Sequence, residues 1–306
     1  MFFTILEHSA LLHFGGDDAR AFLHAQLTSD VGGLALHSSQ FSGYCTPKGR
    51  LLASALLWRN ESGYVLQLPA VLREAIQKRL SMYVLRSKVK ITDVSAEYAC
   101  MGIDGRDAAQ TLKRIAGEVP GAPHEVMHGN GVTVLKLPAD RYQIVVPRAR
   151  ADAMCTALAA NAKAGDATRW DWLDIRAGIA TILPATQEEF VPQMVNFDAI
   201  GAVSFNKGCY PGQEIVARMH YLGKLKQRMV LAHVATDAAP RPGDKLYSAS
   251  LADQAGGMIA NAAPAPGGGH DVLAVIQTAS LDAAEPVHLR TPDGPPLERL
   301  PLPYRI

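Results

Sequence analysis

The 306-residue chain is poor in several things, and each shortage narrows what it can be. It holds four cysteines, at positions 45, 100, 155 and 209, with no Cys-x-x-Cys pair and no Cys/His cluster. That pattern gives no support to a structural zinc site or a self-held iron–sulphur cluster, and so sparse a set suits a reducing compartment. Charged residues make up 19%, below the roughly 25% of ordinary globular chains. Thirty Lys and Arg face 29 Asp and Glu, a net charge of +1. No single-sign field exists of the kind that coats nucleic acid, although a local basic patch stays open. The longest near-unbroken apolar run, Leu51 to Trp58, falls far short of the ~20 residues that cross a bilayer. The first residues, MFFTILEHSALLHF, lack a basic region and a small-residue cleavage site and alternate like a strand. A soluble, cytoplasmic protein without a membrane partner is the expectation.

What the chain does have is apolar material. At 48% hydrophobic it can offset chain entropy, which excludes intrinsic disorder. Its length exceeds what one core comfortably holds, roughly 250–300 residues, and predicts two or so packed units. Strand, helix and paired strands recur twice within the first 160 or so residues. Strands are predicted at Ser9 to Phe14, Leu51 to Arg59 and Tyr64 to Pro69, then a helix over Val71 to Leu85. Strands over Val89 to Val94 and Tyr98 to Ile103 precede a helix at 107–117, and strands 132–137 and 142–147 precede one at 149–161. Trp170 to Ile179 reads as a further helix. From about residue 229 only short β-like runs follow, separated by Pro, Gly and Ala-rich turns. The pattern predicts an α+β protein with antiparallel sheets: a body over residues 1–225 made of two α+β units, and a small β-barrel-like domain over 226–306.

The stretch Lys207-Gly208-Cys209-Tyr210-Pro211-Gly212-Gln213-Glu214 carries the most chemistry. Ile215, Val216, Met219 and Leu222 form an apolar stripe behind it, so a helix is predicted from Pro211 to Leu222, with Gly223 as its stop. Lys207, Gly208 and Cys209 then lie in the turn feeding the helix N-terminus. Unpaired N–H groups and the helix dipole, with Lys207 nearby, favour a thiolate at Cys209. Gln213 and Glu214 pair an amide with a carboxylate, a set suited to a flat heterocycle with N–H donors and carbonyl acceptors. Bland readings exist for each residue. A cysteine before a helix is commonly a packing residue. Glu214 and Arg218, four apart, can be a mere surface ion pair.

Lys-Gly-Cys-Tyr-x-Gly-Gln-Glu is similar to the signature of the YgfZ family of folate-dependent iron–sulphur cluster proteins, whose eukaryotic relatives are mitochondrial cluster-assembly factors. The likeness runs over most of the chain. Phe22-Leu23-His24-Ala25-Gln26-Leu27-Thr28-Ser29-Asp30-Val31 resembles the family's first helix, and Pro47-Lys48-Gly49-Arg50-Leu51 its next turn and strand. Arg176-Ala177-Gly178-Ile179, Phe190-Val191-Pro192-Gln193 and Ser204-Phe205 resemble the approach to the signature, and Leu300-Pro301-Leu302-Pro303-Tyr304 the closing strand. The resemblance implies an aminomethyltransferase-like fold of the glycine-cleavage T-protein type, in which two α+β units and a C-terminal barrel surround a hole that holds tetrahydrofolate. It implies a functional thiol at Cys209 and folate contacts from Trp170, Gln193, Lys207, Tyr210, Gln213, Glu214 and Arg218, with no resident metal. Trp170 aligns with a tryptophan linked to folate in the family, and its bland reading is a core aromatic beside Trp172. Implied partners are iron–sulphur assembly proteins or client enzymes, with an effect on tRNA modification through cluster-dependent enzymes.

Departures matter as much. True aminomethyltransferases resemble this chain but carry acidic residues in the strand after the Gly-containing turn. Arg50-Leu51-Leu52-Ala53-Ser54-Ala55-Leu56-Leu57 has none, and Met194 stands where those enzymes tend to have a pterin-clasping acid. A second family tryptophan is replaced by Ser9. Arg218, Lys224, Lys226 and Arg228 form a basic run without an acid, suited to a solvated surface, a folate glutamate tail or an RNA phosphate. Three readings therefore stand: a folate-binding accessory factor in cluster assembly or repair, a folate-dependent one-carbon transferase or demethylase, and an RNA-binding regulator of tRNA modification.

Overall fold

A computed structural model describes residues 1–248, 251 and 254–306. Packing divides the chain into two compact, discontinuous units. The first holds Met1–Gln26, Asp30–Phe41 and Ala55–Trp170, and the second Leu27–Ser29, Ser42–Ser54 and Asp171–Ile306. This partition differs from a cut near residue 225. The reason is that residues 27–29 and 42–54 hydrogen-bond with residues far along the chain, such as Thr28 with Ala202 and Leu51 with Phe190.

In the first unit a six-stranded sheet runs, in spatial order, Lys163–Ala164, Phe2–Ile5, Tyr98–Asp104, Arg141–Pro147, Val132–Leu137 and Val126–Gly129. Its pairs are antiparallel except the short outer one, Phe2 with Lys163. Alternate residues of a strand share a face, so Ala99, Met101 and Ile103 line up with Tyr142, Ile144 and Val146. The helices Ala108–Ala116 and Ala151–Ala159 cover that face with Leu112, Met154 and Leu158, all buried.

A five-stranded sheet is ordered Ser39–Cys45, Leu51–Asn60, Gly63–Pro69, Ser9–Gly15 and Lys90–Asp93, and the chain changes unit within the first two of these strands. The helix expected over Val71 to Leu85 is shorter, Arg73–Ser81. A 3-10 turn at Ala70–Leu72 precedes it, and Leu85 takes a left-handed φ of 46° that no regular helix allows.

In the second unit six strands form one antiparallel sheet, ordered Val287–Leu289, Lys245–Ser248, Gly257–Pro264, His270–Gln277, Gln227–Val234 and Leu297–Leu300. Ala232, Val234, Leu246, Ile259, Val272, Ala274, Ile276 and Leu289 come from five of these strands and share one core, so the sheet curls around a single interior. A register shift between Ile259 and Asn261 re-aims the Asn261 amide, which both accepts from Thr181 N–H and donates to Thr181 O at 2.9 Å. The closing strand is Leu297–Leu300 rather than 300–304. Pro301 and Pro303 have no N–H to continue a ladder, and Tyr304 instead donates its hydroxyl to Gly178 O at 2.7 Å. Among the described residues no helix is long and apolar enough to cross a membrane.

Candidate functional site

The signature segment is built on a tight turn elsewhere in the second unit. Thr46 N–H donates to Arg50 O and Gly49 N–H to Thr46 O, closing the Pro47-Lys48-Gly49 turn. Leu51 N–H donates to Phe190 O, Glu188 N–H to Leu51 O, and the Arg50 guanidinium to Glu189 O at 2.6 Å. The turn is thereby fastened to residues 188–190. Its Gly49, at φ 71°, receives the start of the signature helix. A Cβ on Gly49 would sit 3.0 Å from Ile215 Cβ, and one on Gly212 would sit 2.5 Å from Gly49 Cα, Gly49 N and Thr46 O. Two glycines back to back let two backbones touch, which is why neither tolerates a side chain.

The helix spans Gln213–Tyr221, two residues shorter at its start than the sequence suggests. Gly212 is the cap, at φ 83°, and Pro211 lies before it. A left-handed residue cannot belong to a right-handed helix, so the helix begins only after it. At the other end the cap is Leu222, before Gly223.

Within the loop, side chains divide by task. Lys207 is half-buried, and its ammonium donates to Leu27 O at 2.5 Å and Ser29 O at 3.1 Å while lying 5.0 Å from the Tyr210 ring centre. Two carbonyls and a ring face thus hold one cation. Tyr210 is 6% exposed. Burial, and secondarily the Cys45 thiol, pushes its phenol pKa well above the ordinary value, and burial does the same for Cys45. Both Lys207 and Tyr210 therefore anchor the loop. Cys209 between them is exposed, in contrast to Cys45 and Cys100, which are buried. Thr28 fixes the neighbouring segment: its hydroxyl donates to Ala202 O at 2.6 Å and accepts from Gly43 N–H at 2.7 Å.

Other expected site residues fall as follows. Gln193, in the 3-10 turn Pro192–Val195, is buried and donates its amide to Val216 O at 2.7 Å, gripping the signature helix from behind. Gln213 is half-buried; Glu214 and Arg218 are exposed, and among the described residues no ion pair joins them. Trp170 belongs to the first unit. It is 3% exposed, a Cβ on Gly102 would press within 2.3 Å of its ring, and the Arg141 guanidinium lies 4.8 Å from its ring centre. Its indole is thus packed among residues of that unit. Arg228 is not an open cation, because it pairs with Asp198 at 3.0 Å.

The sequence reading named Gln193 but missed the acceptors that accompany it on Asn196 and Asp198. Gln193 Oε1, Asn196 Oδ1 and Asp198 Oδ1 are buried and have no hydrogen-bond donor in the protein. Buried acceptors are nearly always satisfied, so three on one short segment call for a partner. Their one sequence signal is the polar Asn196 and Asp198 inside the apolar run from Val195 to Phe205. All three are acceptors that want N–H or O–H donors.

Tyr210 and Cys45 give this site a pH signature. Both resist ionisation when folded, whereas the unfolded chain ionises near the ordinary values of 10.0 and 9.0. Above those values the unfolded state has fewer protons than the folded one, so stability is present below them and falls as pH rises. Each group contributes a loss of about 1.4 kcal/mol per pH unit. Urea midpoints are expected to drop between about pH 8 and pH 10.5, and a Tyr210→Phe variant to drop less. A flat midpoint in the wild type overturns this.

No family model matches the chain. Curated relatives do. The tRNA-modifying protein YgfZ of Sodalis glossinidius (strain morsitans) is 32% identical over 305 residues, covering 98% of this chain and 92% of its own length. The protein of the same name from Enterobacter sp. (strain 638) is 32% identical over 244 residues, covering 79% and 74%. Among solved structures, the glycine cleavage system aminomethyltransferase T from Bartonella henselae superposes with a TM-score of 0.79, at 17% identity, over 97% of this chain and 84% of that one. That likeness establishes the fold, which is the aminomethyltransferase T fold. With the signature segment in place on that fold and 32% identity to a curated relative over 98% of this sequence, the chain belongs to the YgfZ family.

Proposed function

We propose that the chain is a tetrahydrofolate-binding accessory protein in iron–sulphur cluster assembly or repair, acting in the cytoplasm through an exposed thiol at Cys209, with tRNA modification affected through cluster-dependent client enzymes. One observation carries the thiol: the loop around Cys209 is pinned on both sides, by Lys207 on two carbonyls and by Tyr210 and Gly212 in tight packing, while Cys209 itself is exposed. A fixed, accessible thiol serves as a nucleophile or a soft-metal ligand once deprotonated. Among the described residues no group of three or more His, Cys, Asp and Glu could hold a metal ion. A cluster handled at Cys209 would therefore be cargo, with its other ligands drawn from a partner.

The folate reading is supported by the unpartnered acceptors on Gln193, Asn196 and Asp198. These would accept from pterin N–H groups, with Gln213 and Glu214 adding an amide and a carboxylate and Arg218 a cation for the glutamate tail. Bound tetrahydrofolate supplies a carrier for one-carbon units. The transferase alternative is disfavoured, since the strand Leu51–Asn60 contains no carboxylate to orient an amine or move its proton.

Calorimetric titration of the wild type with tetrahydrofolate is expected to saturate at one site; no saturable binding ends the folate reading. Cys209→Ser should melt with the wild type and bind folate equally, yet fail to restore a cluster-dependent enzyme in cells lacking this protein. Full restoration by that variant ends the thiol role.

A further inference from the structure

Beyond the pinned loop, the far end of the signature helix presents a surface that neither the thiol nor the folate reading uses. Phe205 and His220 stack face to face, with ring centres 3.8 Å apart and planes 12° from parallel. Tyr221 meets them at 72° and 78°, so its plane stands across the stack. Tyr221 is 63% exposed and Leu222 84%, both high for side chains of their kind. Directly after them Lys224 and Lys226 are exposed, and no acidic residue occurs between Ala217 and Arg228. Arg228 is withdrawn by Asp198, leaving these two lysines as open cations beside an open ring.

We infer that this surface binds a single-stranded RNA segment. An aromatic platform with ring area in solvent accepts a base by stacking, which is sequence-tolerant, and lysines beside it meet phosphates as point charges. An acidic peptide would satisfy the lysines but leave the aromatic platform without a purpose, so the aromatic–basic combination favours RNA. All the residues involved belong to the second unit, and none is among those assigned to folate. RNA contact thus goes beyond the folate reading and can fail independently of it.

The test is fluorescence anisotropy of a labelled, unstructured RNA of about 15 nucleotides, a length suited to a single stacking platform with its flanks, in the absence of folate. Saturable binding is expected, with log affinity falling against log salt at a slope of about −1.4 for two phosphate contacts. Tyr221→Ala should weaken binding by about 5- to 150-fold, as loss of one stacked base does. Lys224→Ala with Lys226→Ala should flatten the salt slope toward zero. Both variants change exposed side chains and should melt with the wild type. The inference is overturned if no saturation occurs, if Tyr221→Ala binds like the wild type, or if a poly-glutamate peptide of equal length competes as well as unlabelled RNA.

Discussion

Gly212→Ala is expected to lose about 2–5 kcal/mol of unfolding free energy, and Gly201→Ala about 1–2 kcal/mol. Both glycines are left-handed, at φ 83° and 73°. Around Gly201 an added Cβ meets nothing within 4 Å, so only the conformational cost applies. At Gly212 the same methyl would strike the backbone of Gly49 and Thr46 at 2.5 Å. Backbone cannot swing aside as a side-chain tip can, and the Thr46–Arg50 turn is itself tied to residues 188–190. The overpacking cost, about 1–3 kcal/mol, therefore adds to the conformational one. Urea titration of both variants measures the difference. Equal losses would mean that the turn yields and that the two motifs are not rigidly coupled. Cys209 sits three residues before Gly212, so under the proposed thiol role the same variant should also impair function.

Asp271→Ala should cost about 1–3 kcal/mol, the range for leaving a buried donor unsatisfied, because its cationic partner Arg176 keeps 39% of its side chain in solvent and is not stranded by the change. Asp271 is 4% exposed and accepts from Trp172 Nε1–H at 2.8 Å and lies 2.9 Å from His233 Nδ1 and 3.5 Å from Arg176 Nη1. Removing the carboxylate leaves an indole N–H, an imidazole and a guanidinium around an empty space. Asp271→Asn keeps an oxygen for the Trp172 donor but not the charge, and should lose less. Urea midpoints for the pair decide it. A loss below about 1 kcal/mol for the alanine variant would mean that water replaces the carboxylate without penalty, a result at odds with its burial.

Legibility differed from element to element for physical reasons. The strands Leu51–Asn60 and Gly63–Pro69 and the paired strands Gly257–Pro264 and His270–Gln277 follow from short apolar runs bounded by turn residues, a local signal. The hairpin tip Pro264 to Gly269 closes as its composition suggests, with Ala265 N–H donating to Gly269 O. Helix ends were less legible. Pro211 satisfies every local criterion for a first helical residue, yet Gly212 takes a left-handed φ because Gly49 stands against it. Gly49 lies far back in the chain, and nothing in the sequence next to Pro211 reports that contact. The same holds for Trp170, whose alignment with a family tryptophan says nothing of Gly102 and Arg141 closing over it.

The sequence by itself determined the α+β class, the strand-rich character of the late region and the family, because these rest on periodicity, turn chemistry and contiguous runs of residues; the short helix Thr278–Asp282 within that late region was not legible. Tertiary structure alone decided which members of the signature segment are structural and which are presented. Lys207 reaches carbonyls some 180 residues earlier in the chain, Tyr210 is buried beside Cys45, and Arg228 is neutralised by Asp198, while Cys209 and Tyr221 stay open. A side chain's availability depends on partners that folding brings from distant positions, and no local pattern encodes them.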